Sequence, residues 1–335
     1  MLKAIKKLLL LGFLACLIGI SIVTYQLIQF QQSRIEVTPE TEVFLIKSGT
    51  SITRIAQQLT KQKIIDDPWL FILMAKLKGV ETRVRAGEYQ IDSNQTAEDL
   101  LNTFTKGSAI QYSLTIIEGW TFRQMLAAIE QNAVLENTLS GKSDQQIMEA
   151  LGYPGQHPEG LFFPDTYRFP KGTRDIDFLQ RAYQVMQNHL QREWNQRAEG
   201  LPLTSSYEAL ILASIIEKET GAGFERPLIS GVFTRRLHKK MRLQTDPTII
   251  YGLGEDYDGD IRYRDLRKDT PYNTYLHAGL TPTPIALPGL DSIKAALNPA
   301  DTKALYFVSK GDGTHQFSVT LEEHNAAVRR YQLKK

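Results

Sequence analysis

The longest apolar run in the chain lies near its N-terminus. Apolar side chains fill most positions of residues 8–28, about the 20 residues that a helix needs to cross a bilayer. Three lysines precede this run and a single arginine follows it closely. By the positive-inside rule we expect a cytoplasmic tail over residues 1–7, a membrane helix over 8–28, and a linker over 29–41 that leads to a domain outside the cytoplasm.

Two alternatives concern the fate of this N-terminal run. A cleaved signal peptide has a shorter apolar core and a small-residue cleavage site, which this sequence does not show. A lipoprotein signal would use Cys16, but residues 13–15 fit that motif imperfectly and the apolar run continues beyond them. We therefore predict a retained, single-pass anchor. Cys16 is the only cysteine, so the sequence offers neither a disulfide framework nor a thiolate metal site.

The pattern over residues 42–108 alternates short strands with amphipathic helices. It predicts, in order, a strand at 42–46, helices at 52–59 and 69–78, a strand at 87–91 and a helix at 96–104. The first strand, the glycine turn and Ile55-Ala56 resemble the carbohydrate-binding LysM module, although the acidic residue of that pattern is missing. We expect a small LysM-like α/β subdomain over 42–108, with glycan binding and a packing role both open.

The segment SSYEALILASIIEKETG, residues 205–221, is the centre of the predicted larger domain. Ser205 and Glu208 have capping-box spacing, and the positions after them are apolar on every side of a helix apart from Ser214. Such a helix is buried all round. Gly221 offers a left-handed residue with which the helix would end.

The rest of the pattern completes a mixed fold. We predict helices at 175–196 and 227–240, a hairpin of strands 304–308 and 315–318, and a last helix capped by Thr320. His315 has no companion at metal-ligand spacing, so we predict a structural histidine. The fold class is α+β, and residues 109–335 form the predicted catalytic domain.

Composition narrows the function classes. Apolar residues make up 42% of the chain and charged residues 23%, which is ordinary for a folded protein. The net charge is +2, and no basic run is interleaved with aromatics, so we exclude nucleic acid as a partner. We expect no metal and no cofactor.

Glu217 is the candidate for chemistry. It lies on the helix stripe that contains Ser214, at the negative end of the helix dipole, and both burial and the dipole favour its protonated form. A carboxylic acid that keeps its proton near neutral pH suits general-acid catalysis. The alternative is a solvated helix end in which Lys218 pairs with a neighbouring carboxylate.

Six blocks in order give a resemblance over the whole chain. They are EGWT at 118–121, EGLFFPDTY at 159–167, ASIIEKE at 213–219, QTDP at 244–247, YNTY at 272–275, and the segment 307–325, which contains FV, GTH and HN. The chain thereby resembles the YceG-like endolytic murein transglycosylases, membrane-anchored enzymes that cut nascent peptidoglycan strands. Thr281 and Leu287 depart from the pattern of that family, which weakens the assignment of the proline-rich loop that contains them.

The resemblance implies the site and the chemistry. Glu217 matches the catalytic glutamate of that family. The remaining blocks supply the expected substrate-binding residues, namely Glu159, Asp165, Tyr167, Ser214, Glu219, Gln244, Thr245, Asp246, Tyr272, Asn273 and Thr274. The implied product is a 1,6-anhydro end of N-acetylmuramic acid. The implied location is the bacterial inner membrane, with the catalytic domain in the periplasm, and the implied partners are peptidoglycan glycan strands and cell-wall synthases.

Two other functions stay open at this point. A hydrolase would use Asp246, Asp165 or Glu219 to activate water as the partner of Glu217. A non-catalytic scaffold would bind glycan and division proteins through the LysM-like subdomain.

Overall fold

The computed structural model describes residues 2–333, with side chains from residue 5, and divides them into two compact units. The first unit comprises residues up to 113 together with 168–173, and the second comprises 114–167 and the residues from 174 onward. Strands β3 (Gln111–Thr115) and β4 (Thr166–Pro170) pair in a two-stranded sheet, and the boundary between the units falls within both strands.

The first unit begins with a long helix and continues with alternating strands and helices. Its elements are α1 (Leu2–Gln32), β1 (Val43–Ile46), α2 (Ile52–Lys61), α3 (Pro68–Leu77), β2 (Gly87–Gln90) and α4 (Ala97–Lys106). Strands β1 and β2 pair antiparallel, with Val43 opposite Gln90. Ser51, Asp67 and Thr96 accept hydrogen bonds from the first turns of the helices that follow them, which is why these helices begin where they do.

Helix α1 is apolar and long enough to cross a membrane from Ile5 to Gln32, a test that an N-terminal signal sequence also passes. Its last turns differ from the predicted linker of residues 29–41. The helix continues to Gln32, and Leu27, Phe30 and Ile35 are buried in the core of the first unit. These apolar side chains give the end of the helix a packing surface that a polar connector would lack.

The second unit is mostly helical. It contains α5 (Phe122–Glu130), α6 (Asp144–Ala150), α7 (Asp175–Asn195), α8 (Ser206–Glu219), α9 (Arg226–His238), α10 (Asp246–Leu253), α11 (Leu290–Leu297), strands β5 (Tyr306–Ser309) and β6 (His315–Ser318), and α12 (Leu321–Tyr331). The α+β class predicted from the sequence is confirmed.

Helix α8 is the core of this unit, as its apolar pattern predicts. Every side chain from Ala209 to Ile216 is buried, and helices α7, α9, α10 and α11 pack around it, α11 most extensively. Ser205 caps its first turn by accepting from the Glu208 N–H, while the Glu208 carboxylate accepts from the Thr204 N–H. The predicted glycine end is wrong. The helix stops at Glu219, Thr220 is extended, and Gly221 has no left-handed backbone.

The C-terminal hairpin is fastened to the segment before α9. Strands β5 and β6 pair with Ser309 opposite His315. The N–H and Nδ1 of His315 both contact the buried Glu225 carboxylate, at 2.9 and 2.8 Å. His315 therefore has the structural role predicted for it, and it fixes the residue that precedes Arg226.

The burial of α8 predicts where the fold is most sensitive. Leu212→Ala, at a position with no exposure, should lower the free energy of unfolding by about 2–5 kcal/mol because it leaves a cavity. Leu321→Ala, at 55% exposure, is the matched control and should change it by less than about 0.5 kcal/mol. Urea unfolding of the full chain in detergent measures both, and equal losses would contradict this account of the core.

Candidate active site

Glu217 lies at the C-terminal end of α8 with its side chain 6% exposed, and three donors hold its carboxylate. The Gly289 N–H and the Ser292 hydroxyl donate to Oε2 at 3.0 and 2.7 Å. The Arg226 guanidinium donates to Oε1 at 3.1 Å. The predicted alternative of a solvated helix end does not apply to this side chain.

Each donor comes from an element that packs on α8. Gly289 and Ser292 lie at the start of α11, where backbone N–H groups have no partner within the helix and attract negative charge. Arg226 is the first residue of α9. The negative end of α8 thus meets a positive helix start and a cation. These three donors offset the unfavourable effect of the α8 dipole on the carboxylate.

Glu118 lies beside this group and was not predicted as a site residue. Its carboxylate is 3.8 Å from the same guanidinium nitrogen that contacts Glu217, and Asp291 is 3.9 Å from the other terminal nitrogen. Burial, and then the negative charges of Glu217 and Asp291, raise the pKa of Glu118, against the opposing effect of Arg226. The site is therefore a cluster of three acids around one arginine.

Glu219 belongs to a different cluster. It is two residues beyond Glu217, about 200° further round the helix, and its carboxylate accepts a short hydrogen bond from the Thr245 hydroxyl. Burial raises the pKa of Glu219 to about 7, and the nearby charge of Asp246 adds to the effect. Asp246 in turn accepts from the Tyr275 hydroxyl at 2.6 Å, so it does not cap α10.

Glu159 lies in a third, buried position. It is 4% exposed, and its carboxylate accepts from the Phe122 N–H at 2.9 Å and from the Tyr251 hydroxyl at 3.1 Å. Phe122 is the first residue of α5, so Glu159 satisfies a free donor of that helix start. Burial raises the pKa of Glu159 to about 7.

A model of the YceG-like family matches residues 44–330, which is most of the chain. The chain belongs to the YceG-like family. The family assignment predicted from the six sequence blocks is confirmed.

Characterised relatives and a solved structure agree with this assignment. A protein named endolytic murein transglycosylase from Bacillus subtilis is 34% identical over 303 residues, covering 85% of this chain and 83% of its own length. One of the same name from Streptococcus pneumoniae is 28% identical, and the matched region spans only 57% of it. A crystal structure of a yceG-like protein from Listeria monocytogenes at 2.6 Å has a TM-score of 0.54 and 30% identity, covering 85% of this chain and 97% of that one.

Most of the predicted substrate-binding residues of this YceG-like chain have internal partners. Besides Glu159, five of them are buried and bonded within the second unit: Tyr167, Ser214, Thr245, Asn273 and Thr274. A direct contact with substrate is therefore not what their geometry supports. Because a buried polar group destabilises the fold unless it is paired, these residues contribute to the framework instead.

Two examples show how the framework is built. The Ser214 hydroxyl accepts from the Ile285 N–H at 3.0 Å and so joins α8 to the loop that leads into α11. The Asn273 side chain donates to the carbonyls of Leu266 and Lys268 and accepts from the N–H groups of Tyr275 and Leu276. Both residues shape the loops around the end of α8.

The other predicted residues are more accessible. Asp165, Gln244 and Asp246 are exposed, and Tyr272 is half-buried with its hydroxyl 2.9 Å from that of Thr283. Gln244 has a left-handed backbone at φ 51°, which is uncommon for a residue other than glycine and is typical of functional loops. Within residues 5–333, no three His, Cys, Asp or Glu side chains lie close enough to hold a metal ion.

Sequence reasoning missed Arg226, Gly289 and Ser292. Arg226 is nine residues beyond Glu217, at the start of the next long helix, whereas Gly289 and Ser292 are 72 and 75 residues away, and none of them belongs to a recognisable spacing. Glu118 did carry a signal, since it opens the 118–121 block, but that block was not translated into a site residue.

Glu159 predicts a pH dependence of stability. Its folded pKa of about 7 exceeds the ordinary value of 4.5, so its contribution to the free energy of unfolding is fully present below about pH 4.5 and is lost as the pH rises through about 7. Glu159→Gln should remove up to about 3 kcal/mol of that decline. Glu130→Gln, an exposed carboxylate in α5, is the control and should leave the slope unchanged. Urea unfolding at pH 4.5, 6 and 7.5 measures it, and an unchanged slope in Glu159→Gln would contradict the burial argument.

Proposed function

We propose that this chain is an endolytic murein transglycosylase that cuts the bond between N-acetylmuramic acid and N-acetylglucosamine in peptidoglycan strands. The observation that carries the proposal is the Glu217 carboxylate, held by Arg226, Gly289 and Ser292 at the end of the buried helix. Its motif belongs to a family whose relatives bear that name.

Glu217 performs both proton transfers in the proposed reaction. As an acid it gives its proton to the glycosidic oxygen, and the C1–O bond breaks. As a carboxylate it then removes the proton of the muramyl C6 hydroxyl, and O6 bonds to C1. The product is a 1,6-anhydro end, and no water is consumed. The three donors to Glu217 stabilise the carboxylate that the first step produces.

The three acids that the sequence offered as water activators, Glu219, Asp246 and Asp165, have partners other than those of Glu217. A hydrolase needs a second carboxylate to act on a water at the sugar. Glu219 and Asp246 contact Thr245 and Tyr275 on another side of α8, away from the donors of Glu217. Asp165 is exposed and contacts the Thr166 N–H. We therefore propose the exposed Gln244 and Asp246 and the half-buried Tyr272 as contacts to the glycan and not as water activators.

The N-terminal unit fits a supporting role. We propose that α1 anchors the chain in the inner membrane with its N-terminus in the cytoplasm, which places the enzyme on the periplasmic side beside newly made strands and the synthases that make them. The β1–α2–α3–β2 order with its antiparallel strand pair supports a LysM-like unit, for which we propose weak glycan binding.

Digestion of purified peptidoglycan tests the reaction. The wild-type protein should release strands whose ends are lighter by one water than reducing ends, as read by mass spectrometry. Glu217→Gln should lower the rate by about 100-fold or more, because it removes the proton-carrying group. Glu219→Gln is the matched control on the same helix end and should lose less than tenfold.

Three results would count against the proposal. Reducing ends would indicate a hydrolase. No products from a folded preparation would indicate a scaffold. Undiminished cutting by Glu217→Gln would remove the residue from the reaction.

A further inference from the structure

Among the residues that the structure describes, Arg226 is the one cation hydrogen-bonded to Glu217, and it contacts more than one acid. Its Nη2 is 3.1 Å from Glu217 and 3.8 Å from Glu118, and its Nη1 is 3.9 Å from Asp291. Only the contact to Glu217 is within hydrogen-bonding distance. Three negative side chains thus share one positive charge.

The hydrogen bonding of Arg226 is also incomplete. A guanidinium has five N–H donors, and its Nε is buried without an acceptor among the residues that the structure describes. The side chain is only 12% exposed, so water compensates little. A small shift of the guanidinium toward Glu118 would exchange one carboxylate partner for another.

Glu118 is held in place for such an exchange. The Gly119 N–H donates to the Leu287 carbonyl at 2.8 Å, and the Leu287 N–H donates to the Trp120 carbonyl at 2.7 Å. These bonds fix the 118–120 segment beside the loop that leads to Gly289.

The Glu118 side chain then occupies the space next to Gly289. A Cβ on residue 289 would lie 2.0 Å from the Glu118 carboxylate oxygen, so an added methyl group would displace this side chain. The ammonium of Lys218 is the other cation nearby, and it donates to the Gly119 carbonyl at 3.1 Å. The charged groups that face Glu217 are therefore Glu118, Asp291, Arg226 and Lys218.

We propose that Glu118 is a positioning residue for Glu217, which competes for the Arg226 guanidinium and so allows Glu217 to take up the proton that it delivers to the substrate. When Arg226 contacts Glu217, the carboxylate is held ionised. When Arg226 turns to Glu118, Glu217 loses its charged partner and binds a proton from solvent. The inference rests on the proposed function of Glu217 as the proton donor.

Electrostatic coupling between the two acids supports this arrangement. Burial, and then the charge on Glu217, raise the pKa of Glu118. Both carboxylates lie within 4 Å of the same guanidinium nitrogen, at 3.1 and 3.8 Å, and Glu118→Gln removes the repulsion between them.

The pH profile of kcat for Glu118→Gln tests the proposal, with full-length protein and purified peptidoglycan. We expect the alkaline limb of the kcat profile to move to lower pH by about one unit, because Arg226 then contacts Glu217 without competition from the Glu118 carboxylate. Activity at neutral pH should fall about tenfold with KM unchanged. Glu118→Asp should restore part of the activity and part of the limb.

Asp291→Asn is the matched control. This carboxylate also approaches Arg226, but its side chain is 74% exposed against 50% for Glu118, so water screens it more and the alkaline limb of Asp291→Asn should move less than that of Glu118→Gln. If Glu118→Gln does not fold, Glu118→Ala replaces it, because it removes the same charge at a half-exposed side chain. The expected direction of the shift is the same.

A fall in kcat without any movement of the alkaline limb would overturn the proposal and leave Glu118 a purely structural role. An equal shift in Asp291→Asn would overturn it as well. The mass of the wild-type products tests the proposed function separately from this inference. Reducing ends would refute the transglycosylase reaction. A shift of the alkaline limb in Glu118→Gln would still show that Glu118 acts on Glu217.

Discussion

The three hydrogen bonds to the Glu217 carboxylate are the interaction on which the site depends. A glutamate at the C-terminal end of a helix is disfavoured by the dipole of that helix, and burial adds to the penalty. The start of α11 and the side chain of Arg226 offset both effects with two neutral donors and one charged donor. This compensation requires α8, α9 and α11 to meet at one point. The packing of the second unit therefore also determines where the Glu217 carboxylate lies.

The buried helix α8 makes the point where α8, α9 and α11 meet rigid. Its side chains from Ala209 to Ile216 are buried, so the residue that follows has little freedom to move. Ser214 extends the same order to the loop before α11 by accepting from the Ile285 N–H. Asn273 and the Glu225–His315 contact fix the neighbouring segments in the same way. Such buried polar contacts specify one arrangement of loops, which apolar packing alone does less well.

Sequence reasoning located most of the helices and strands, and it failed where tertiary contacts decide the structure. Several helices could be predicted within a few residues because their signals are local. These signals are the capping residues Ser51, Thr96 and Thr320 and the apolar pattern of α8. The prediction that α8 ends with Gly221 was wrong because Thr220, directly after Glu219, already has an extended backbone and leads toward the segment before α9.

The site itself was half predictable. A motif shows which residues occur together, but it does not show whether a residue faces the substrate or the core, which is why Thr274 and Glu159 were assigned to the cleft although they are buried. The partners of Glu217 could not be predicted, since Arg226 and Ser292 are ordinary residues until the fold brings them to the end of α8.

A crystal structure of the Glu217→Gln protein with a bound muramyl-containing tetrasaccharide would test the central claim most directly. The account predicts the scissile glycosidic oxygen within about 3 Å of the residue 217 side chain, with the C6 hydroxyl of the muramyl ring within reach of the same group. A sugar seated against Glu219 and Asp246, with residue 217 still enclosed by Arg226 and Ser292 and no glycan atom near it, would contradict it.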